Sequence, residues 1–178
     1  ASKPIIQLAG QAVRTIVKLL PLPGAMGHTL VVLSMVPLLG SFITEPAAMT
    51  LAALLLRDGA MQPQLRERDK YLLLGVLFVN VSIGGTLTPF AAPPVLMVAT
   101  AWGWDLHHMI GHFGWKAAVA VLVNATAAVL WCRQSLSGLS VQADVGDRRP
   151  PLLVTAIHLA FLAGVVVFAH HPAVFMGL

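Results

Sequence analysis

The chain has 178 residues, of which 57% are hydrophobic and only 10% are charged, and its formal net charge is +4. Soluble domains carry about a quarter charged residues, so this composition excludes an ordinary soluble domain and indicates a membrane protein. A nucleic-acid-binding protein is also disfavoured, because the basic residues flank apolar runs and do not line one face with aromatic residues. Cys132 is the only cysteine of the sequence, which excludes an intramolecular disulfide.

The two ends of the sequence suggest a piece of a longer polypeptide. The chain starts at Ala1 without a Met, and it ends on an apolar run that breaks off at Leu178. The first residues do not show the pattern of a secretory signal peptide. We therefore expect further segments on both sides.

The first predicted element, residues 1–23, is an amphipathic helix that lies along the membrane interface. Apolar residues recur at helical spacing from Ile5 to Leu20, with Arg14 and Lys18 on the other side. A segment rich in proline and glycine follows and ends the helix.

The second predicted element, residues 24–57, is apolar but too long for a single crossing, and Thr44-Glu45-Pro46 interrupts it in the middle. Proline inside a regular helix loses a backbone hydrogen bond, so the segment must reverse there. It either crosses the membrane twice in two short legs or forms a re-entrant hairpin. Both interpretations put its two ends on one side, and the absence of a polar loop at the tip favours the re-entrant form.

The third predicted element, residues 71–104, contains no charged residue and is broken at its centre. Two glycines, two threonines and three prolines crowd the run from Gly84 to Pro94, which cannot form a continuous helix. Pro93-Pro94 suits the first turn of a restarted helix. We predict a transmembrane helix that is interrupted at membrane depth.

The remaining segments complete an all-α, polytopic topology. They are predicted as a cytoplasmic loop at 58–70, an outer interfacial segment at 105–116, a transmembrane helix at 117–133, a cytoplasmic loop at 134–151, a transmembrane helix at 152–169 and the start of a continuation at 170–178. On this topology Lys116 lies outside, and the cytoplasmic side holds the basic residues at positions 14, 18, 57, 66, 68, 70, 133, 148 and 149. This asymmetry agrees with the positive-inside rule.

Glu45 is the strongest candidate for chemistry, because it is the only charged residue between Lys18 and Arg57. An ionisable side chain inside an apolar segment is energetically costly and is a functional-site candidate. It could exchange a proton for a cation. It could also cap the second leg of the hairpin, whose first amides favour a carboxylate, and the two roles are compatible.

Four uncharged oxygen donors surround the predicted helix break: Asn80, Ser82, Thr86 and Thr88. Sodium is a hard cation that suits such oxygens and the carbonyl groups that broken helices expose. Each of these residues alone is better explained by helix–helix hydrogen bonding, but as a cluster at a break they favour an ion site. Discontinuous helices meeting at the midplane are typical of secondary transporters, although channels also use re-entrant loops.

Two other features favour ordinary roles. His108 and His112 have the four-residue spacing of a zinc site on a helix, but Met109 stands where a zinc protease would have Glu, so we interpret both as interfacial histidines. Asn124 is expected to make a packing hydrogen bond. No nucleophile–base pair is visible, and we predict no enzyme activity, no cofactor and no metal other than sodium.

The runs Gly40–Thr50, Asn80–Pro89 and Ala92-Pro93-Pro94 resemble the hairpin and the broken helix of the sodium/proton antiporter family within the ion transporter superfamily. The resemblance extends from about Pro21 to Lys116. It implies one repeat of an inverted-repeat carrier that is a homodimer in its full-length form and moves by an elevator-like displacement. Superfamily symporters carry Ser-Asn-Thr at the tip, where this chain has Ile43-Thr44-Glu45-Pro46. An acid there fits proton-coupled exchange.

The resemblance and the residues together predict a sodium/proton antiporter of the cell inner membrane, surrounded by lipid, with sodium and protons as cargo. An anion or arsenite carrier of the same superfamily and a non-transporting fragment or assembly module remain as alternatives. The predicted ion site between the hairpin tip and the break consists of Thr44, Glu45, Asn80, Ser82, Gly84, Gly85, Thr86, Thr88, Pro93 and Pro94.

Overall fold

The structure is a computed structural model that describes residues 12, 13, 15–141, 157 and 160. Its helices are α1 (Met26–Ile43), α2 (Glu45–Gly59), α3 (Glu67–Gly84), α4 (Pro93–Trp102), α5 (Leu106–Met109), α6 (Trp115–Trp131) and α7 (Arg133–Ser137). The expectation of an all-helical fold is confirmed for these residues, which contain no strand. Most of the predicted interfacial helix at 1–23, the transmembrane helix at 152–169 and the continuation at 170–178 lie outside the described residues.

Three helices of the described part are long and apolar enough to cross a membrane: Met26–Ile43, Glu67–Leu87 and Leu106–Trp131. The first of these is about 27 Å long at the usual rise per residue, close to the thickness of the hydrocarbon core. Pro93–Trp102 is a shorter apolar helix. The protein is therefore a membrane protein by length and composition of its helices, as the sequence predicts.

The predicted interruption of the first apolar stretch lies at Thr44, between α1 and α2. Pro46 follows in the first turn of α2, where a missing N–H costs no helical hydrogen bond. The two legs pack closely near both ends of the hairpin: an added Cβ at Gly40 would lie 2.9 Å from that of Ala48, and one at Gly59 would meet the His28 ring. Small residues thus allow the legs to run side by side.

The second apolar stretch is also discontinuous. Helix α3 continues into a tight turn at Gly85–Leu87, the backbone is then irregular from 88 to 92, and α4 starts at Pro93. Gly103, at a φ of 66°, ends α4 in the left-handed region that glycine tolerates, and the amide of Trp104 donates to the carbonyl of Ala99.

The aromatic and histidine-rich segment predicted at the outer interface is helical and continuous with the helix that follows it. Asp105 caps α5 by accepting a 2.7 Å hydrogen bond from the amide of His108. A wider π-turn at Ile110–Gly114 then joins α5 to α6. The apolar helix therefore begins at Leu106, ahead of the predicted start at residue 117.

Helix α1 is the central element, because it packs against α2, α3 and α6. Helix α3 also packs against α2 and α6, so that the four helices share one apolar core. Among the largest fully buried side chains of the described residues are Leu33, Val36, Leu51, Leu56, Leu73, Leu77, Val81 and Val121. This packing brings the hairpin connection next to the end of α3.

Candidate functional site

The hairpin connection places an acidic residue at the start of a helix. Thr44 has a φ of 95° and a ψ of 146°, a backbone conformation that residues other than glycine rarely adopt. Its amide donates to the carbonyl of Gly40 and its carbonyl accepts from the amide of Ala48. The side chain of Thr44 makes no capping hydrogen bond to α2. Glu45 follows as the first residue of α2, where the helix dipole favours a negative charge.

Glu45 and Ser82 are brought together by the packing of the hairpin against α3. The hydroxyl of Ser82 donates to Oε1 of Glu45 at 3.2 Å. Glu45 is half-buried and Ser82 is exposed, so the pair lies at the surface of the described residues. Within the described residues, ion pairs join Arg57 with Asp58 and Lys70 with Glu67, and neither pair involves Glu45.

Ser41, which the sequence analysis did not select, connects α1 to the helix break. Its hydroxyl donates to the carbonyl of Gly84 and accepts from the amide of Leu87 at 3.1 Å. Its own carbonyl accepts from the hydroxyl of Thr88 at 2.7 Å. Ser41 and Thr88 are completely buried. The available sequence signal was a serine in an apolar leg, one helical turn before Glu45.

The glycines of the break allow close contact between chain segments. A Cβ added to Gly84 would clash with the carbonyl oxygen of Pro37 in α1, and one added to Gly85 would lie 3.1 Å from the Cβ of Ala92. Distances below 3.0 Å require the backbone to shift when the neighbouring atom belongs to the main chain. Gly84 therefore allows α3 to approach α1 at the level of the hairpin.

Asn80 lies on another face of α3, away from the hydrogen bond between Glu45 and Ser82. Its side-chain amide donates to the carbonyl of Leu33 at 2.8 Å and to that of Val121 at 3.2 Å. Its oxygen accepts from the side chain of Asn124 at 3.1 Å. Asn80 is completely buried, and it links α1, α3 and α6. Asn124 makes the packing hydrogen bond expected of it.

The link between Asn80 and Leu33 has a local cause in α1. Pro37 stands four residues after Leu33 and has no N–H to donate to the Leu33 carbonyl. In a membrane, a carbonyl freed by proline must be satisfied by a neighbouring helix, a hydroxyl or water. The amide of Asn80 provides this donor.

The other predicted site residues lie around the break. The hydroxyl of Thr86 donates to the carbonyl of Ile83 at 2.7 Å, within the same turn. Pro93 and Pro94 form the exposed first turn of α4. Thr86 and Pro94 also line a cavity of about 240 Å³ with Val95, Val98, Trp104, Met109 and Phe113. This cavity is apolar and connects the break with the aromatic segment.

The two histidines of the aromatic segment stack on each other. The rings of His108 and His112 lie 4.2 Å apart at an interplanar angle of 16°, and Trp104 stacks on His108 at 5.2 Å. Within the described ranges, no cluster of three His, Cys, Asp or Glu side chains is arranged to hold a metal.

A comparison with protein-family models matches the chain over residues 1–178 to the family described as "Putative Na+/H+ antiporter". The comparisons with curated proteins and with solved structures gave no match.

Proposed function

Because the chain belongs to this Na+/H+ antiporter family, we propose that it exchanges sodium ions for protons across a membrane, with Glu45 as the group that both ions share. The observation that supports this role is the 3.2 Å hydrogen bond between Ser82 and Glu45, which joins the hairpin connection to the broken helix. Transporters place their ion sites where discontinuous helices meet.

The chemistry of the proposed exchange is competition for one carboxylate. Ionised Glu45 offers two oxygens to a sodium ion, and the hydroxyl of Ser82 adds a neutral oxygen within reach. A protonated carboxyl group loses most of its attraction for the cation. Glu45 is the first residue of α2, where the helix dipole favours a negative charge, and in this proposal the carboxylate binds sodium after it has released its proton.

Other residues around the break act in this proposal by shaping the site. Ser41, Gly84 and Thr88 hold the break against the hairpin. Asn80 holds α1, α3 and α6 together behind it. Thr44 and Thr86 stand beside Glu45 and at the end of α3, and their role as additional oxygen ligands stays a prediction.

The test is sodium-driven proton movement in vesicles that contain the full-length protein. We expect Glu45→Gln to reduce exchange at least about tenfold. A side-chain amide does not take up the transported proton, and it has no negative charge to attract sodium. Glu67→Gln is the matched control, since Glu67 is also an acidic first residue of a helix but is paired with Lys70. It should retain exchange within twofold. Wild-type exchange by Glu45→Gln across the whole pH range would disprove the role of the carboxylate.

The same vesicles separate the cargo classes. A sodium/proton antiporter should be stabilised against heat by sodium and should move protons on a sodium gradient. An anion carrier should respond instead to citrate or arsenite, and a non-transporting assembly module should give no flux with any of these ions.

We further propose the architecture that goes with this function: two inverted repeats with a re-entrant hairpin in each, assembled as a homodimer in the cell inner membrane. Family membership and the two interrupted segments support it.

A further inference from the structure

An apolar groove runs along the surface between α3 and α6. It has a volume of about 220 Å³ and is lined by Leu72, Val76, Asn124, Ala127, Ala128 and Trp131. We call it the α3/α6 groove. Asn124 and Trp131 are seven residues apart on one helix, so the groove follows α6 for about 10 Å. This shape and lining suit an extended hydrocarbon chain.

The Trp131 end of the groove carries positive charge. The guanidinium carbon of Arg68 lies 5.9 Å from the centroid of the Trp131 ring, and both side chains are exposed. Tryptophan and arginine are typical of the boundary between hydrocarbon and headgroups. The groove therefore has an interfacial, cationic end and an apolar course into the membrane.

The carboxylates next to Arg68 along the chain are engaged elsewhere. Glu67 pairs with Lys70 at 3.5 Å, and the hydroxyl of Ser135 donates to Asp69 at 2.6 Å. No ion pair includes Arg68 within the part of the chain that the structure describes. Its positive charge is thus available to an external anion.

We propose that the α3/α6 groove binds an anionic phospholipid, with the phosphate beside Arg68 and one acyl chain between the two helices. A free anion would leave the apolar groove unused, and an uncharged lipid would leave the charge of Arg68 unused. The bound lipid would brace the start of α3 against the end of α6, at the opposite end of α3 from Ser82 and the break.

The experiment measures the melting temperature of the delipidated full-length protein in an uncharged detergent after addition of one lipid at a time. Phosphatidylglycerol should raise the melting temperature by several degrees, and phosphatidylcholine with the same acyl chains should have little effect, because a ligand of the folded state stabilises it by mass action. The increase should shrink at high salt, as expected for an exposed charge.

Two pairs of variants locate the lipid. Arg68→Gln should abolish the effect of phosphatidylglycerol, whereas Arg57→Gln, which removes an exposed arginine that is paired with Asp58, should retain it. Ala127→Trp should fill the groove and also abolish the effect. Thr126→Trp is its control, because Thr126 is exposed on the same helix but does not line the groove.

Any one of the following results would overturn the proposal. Full stabilisation of Arg68→Gln or of Ala127→Trp by phosphatidylglycerol would exclude this site. Equal stabilisation by glycerol phosphate would mean that a free anion suffices. A change of oligomeric state in Ala127→Trp but not in Thr126→Trp would assign the groove to a second copy of the chain. If Ala127→Trp fails to fold, loss of the bound lipid from Arg68→Gln in native mass spectrometry decides the matter, and its retention there counts against the site. None of these readouts depends on sodium/proton exchange.

Discussion

Ser41 is hydrogen-bonded to the helix break through both its hydroxyl group and its backbone carbonyl. One hydroxyl joins the carbonyl of Gly84 to the amide of Leu87, and the Ser41 carbonyl binds Thr88. The residue is completely buried, so water cannot replace these bonds when the hydroxyl is lost. We therefore expect the geometry of the break to depend on this one side chain.

Ser41→Ala should lower the free energy of unfolding by about 1–3 kcal/mol, the usual cost of leaving a buried polar group unsatisfied. The measurement is an SDS titration in mixed micelles. Ser34→Ala is the control on the same helix, because the hydroxyl of Ser34 bonds only to the carbonyl of Leu30 in its own helix. Equal losses for the two variants would contradict the role of Ser41 as a link between elements.

Glu45 and Ser41 also differ in how visible they are in the sequence. A lone carboxylate in an apolar stretch is evident because its desolvation is costly. A serine in the same stretch carries no such signal, since serine commonly bonds to its own helix, as Ser34 does. The sequence therefore gave a reason to select Glu45 as a candidate, but it gave none to select Ser41, which connects α1 to the break.

Helices α1 and α3 are in close contact at Gly84. Gly84→Ala should lower the free energy of unfolding by about 1–3 kcal/mol, because the added methyl group would press against the backbone of Pro37 and force the helices apart. Gly75→Ala is the control in the same helix: nothing lies within 4 Å of its added Cβ, and alanine is the better helix former.

Gly75→Ala should accordingly be neutral or stabilising by about 0.5–1 kcal/mol in the same SDS titration. A Gly84→Ala protein as stable as Gly75→Ala would show that α1 and α3 are not packed as described. A loss of transport with Gly84→Ala alone would fit a displaced break.

Asn80 and Pro37 should be coupled. Asn80→Leu removes the donor that satisfies the Leu33 carbonyl, whereas Pro37→Ala supplies that carbonyl with a new N–H from its own helix. In a double-mutant cycle, Asn80→Leu should cost about 1 kcal/mol less in the Pro37→Ala background than in the wild type.

Asn124→Leu is the control for this cycle, because Asn124 bonds to Asn80 but not to Leu33. Its effect should add to that of Pro37→Ala within about 0.3–0.5 kcal/mol. Additive behaviour of Asn80→Leu as well would argue that the Leu33 carbonyl does not need the asparagine.

Sequence patterns predict where helices are interrupted, but not which residues of different helices are in contact. The interruptions at Thr44 and at residues 88–92 follow from Pro46, Pro89 and Pro93, since proline acts on its own neighbours in the chain. The sequence patterns predicted Asn80 as an oxygen ligand for an ion at the break. Its partners on α1 and α6 depend on residues 47 and 41 positions away, and such distant contacts are not contained in local spacing.

The predicted topology of the chain places the loop at 58–70 and the segment at 105–116 on opposite sides of the membrane. Single cysteines at Gln64 and His107, both exposed, should react with a membrane-impermeant maleimide only from the cytoplasmic and only from the outer side, respectively. Labelling of both from the same side would refute the topology.

The native cysteine should give little background in this experiment. Cys132 lies one residue beyond the span Leu106–Trp131 and is buried, and burial together with Asp69 raises the pKa of its thiol to about 11. Because a raised pKa leaves less of the reactive thiolate, labelling of Cys132 near neutral pH should be slow until the protein unfolds. Rapid labelling of the folded wild type would contradict this burial.

By itself the sequence determined the membrane class, the all-helical fold of the described residues, the two interruptions and the family, because each follows from composition or from local backbone chemistry. Only the tertiary structure showed three contacts. Ser82 donates a hydrogen bond to Glu45, Ser41 donates one to Gly84 at the break, and Asn80 donates one to the Leu33 carbonyl that Pro37 leaves without a partner in its own helix. These contacts depend on the close approach of α1 and α3, which packing of the whole core sets. No run of neighbouring residues encodes that approach.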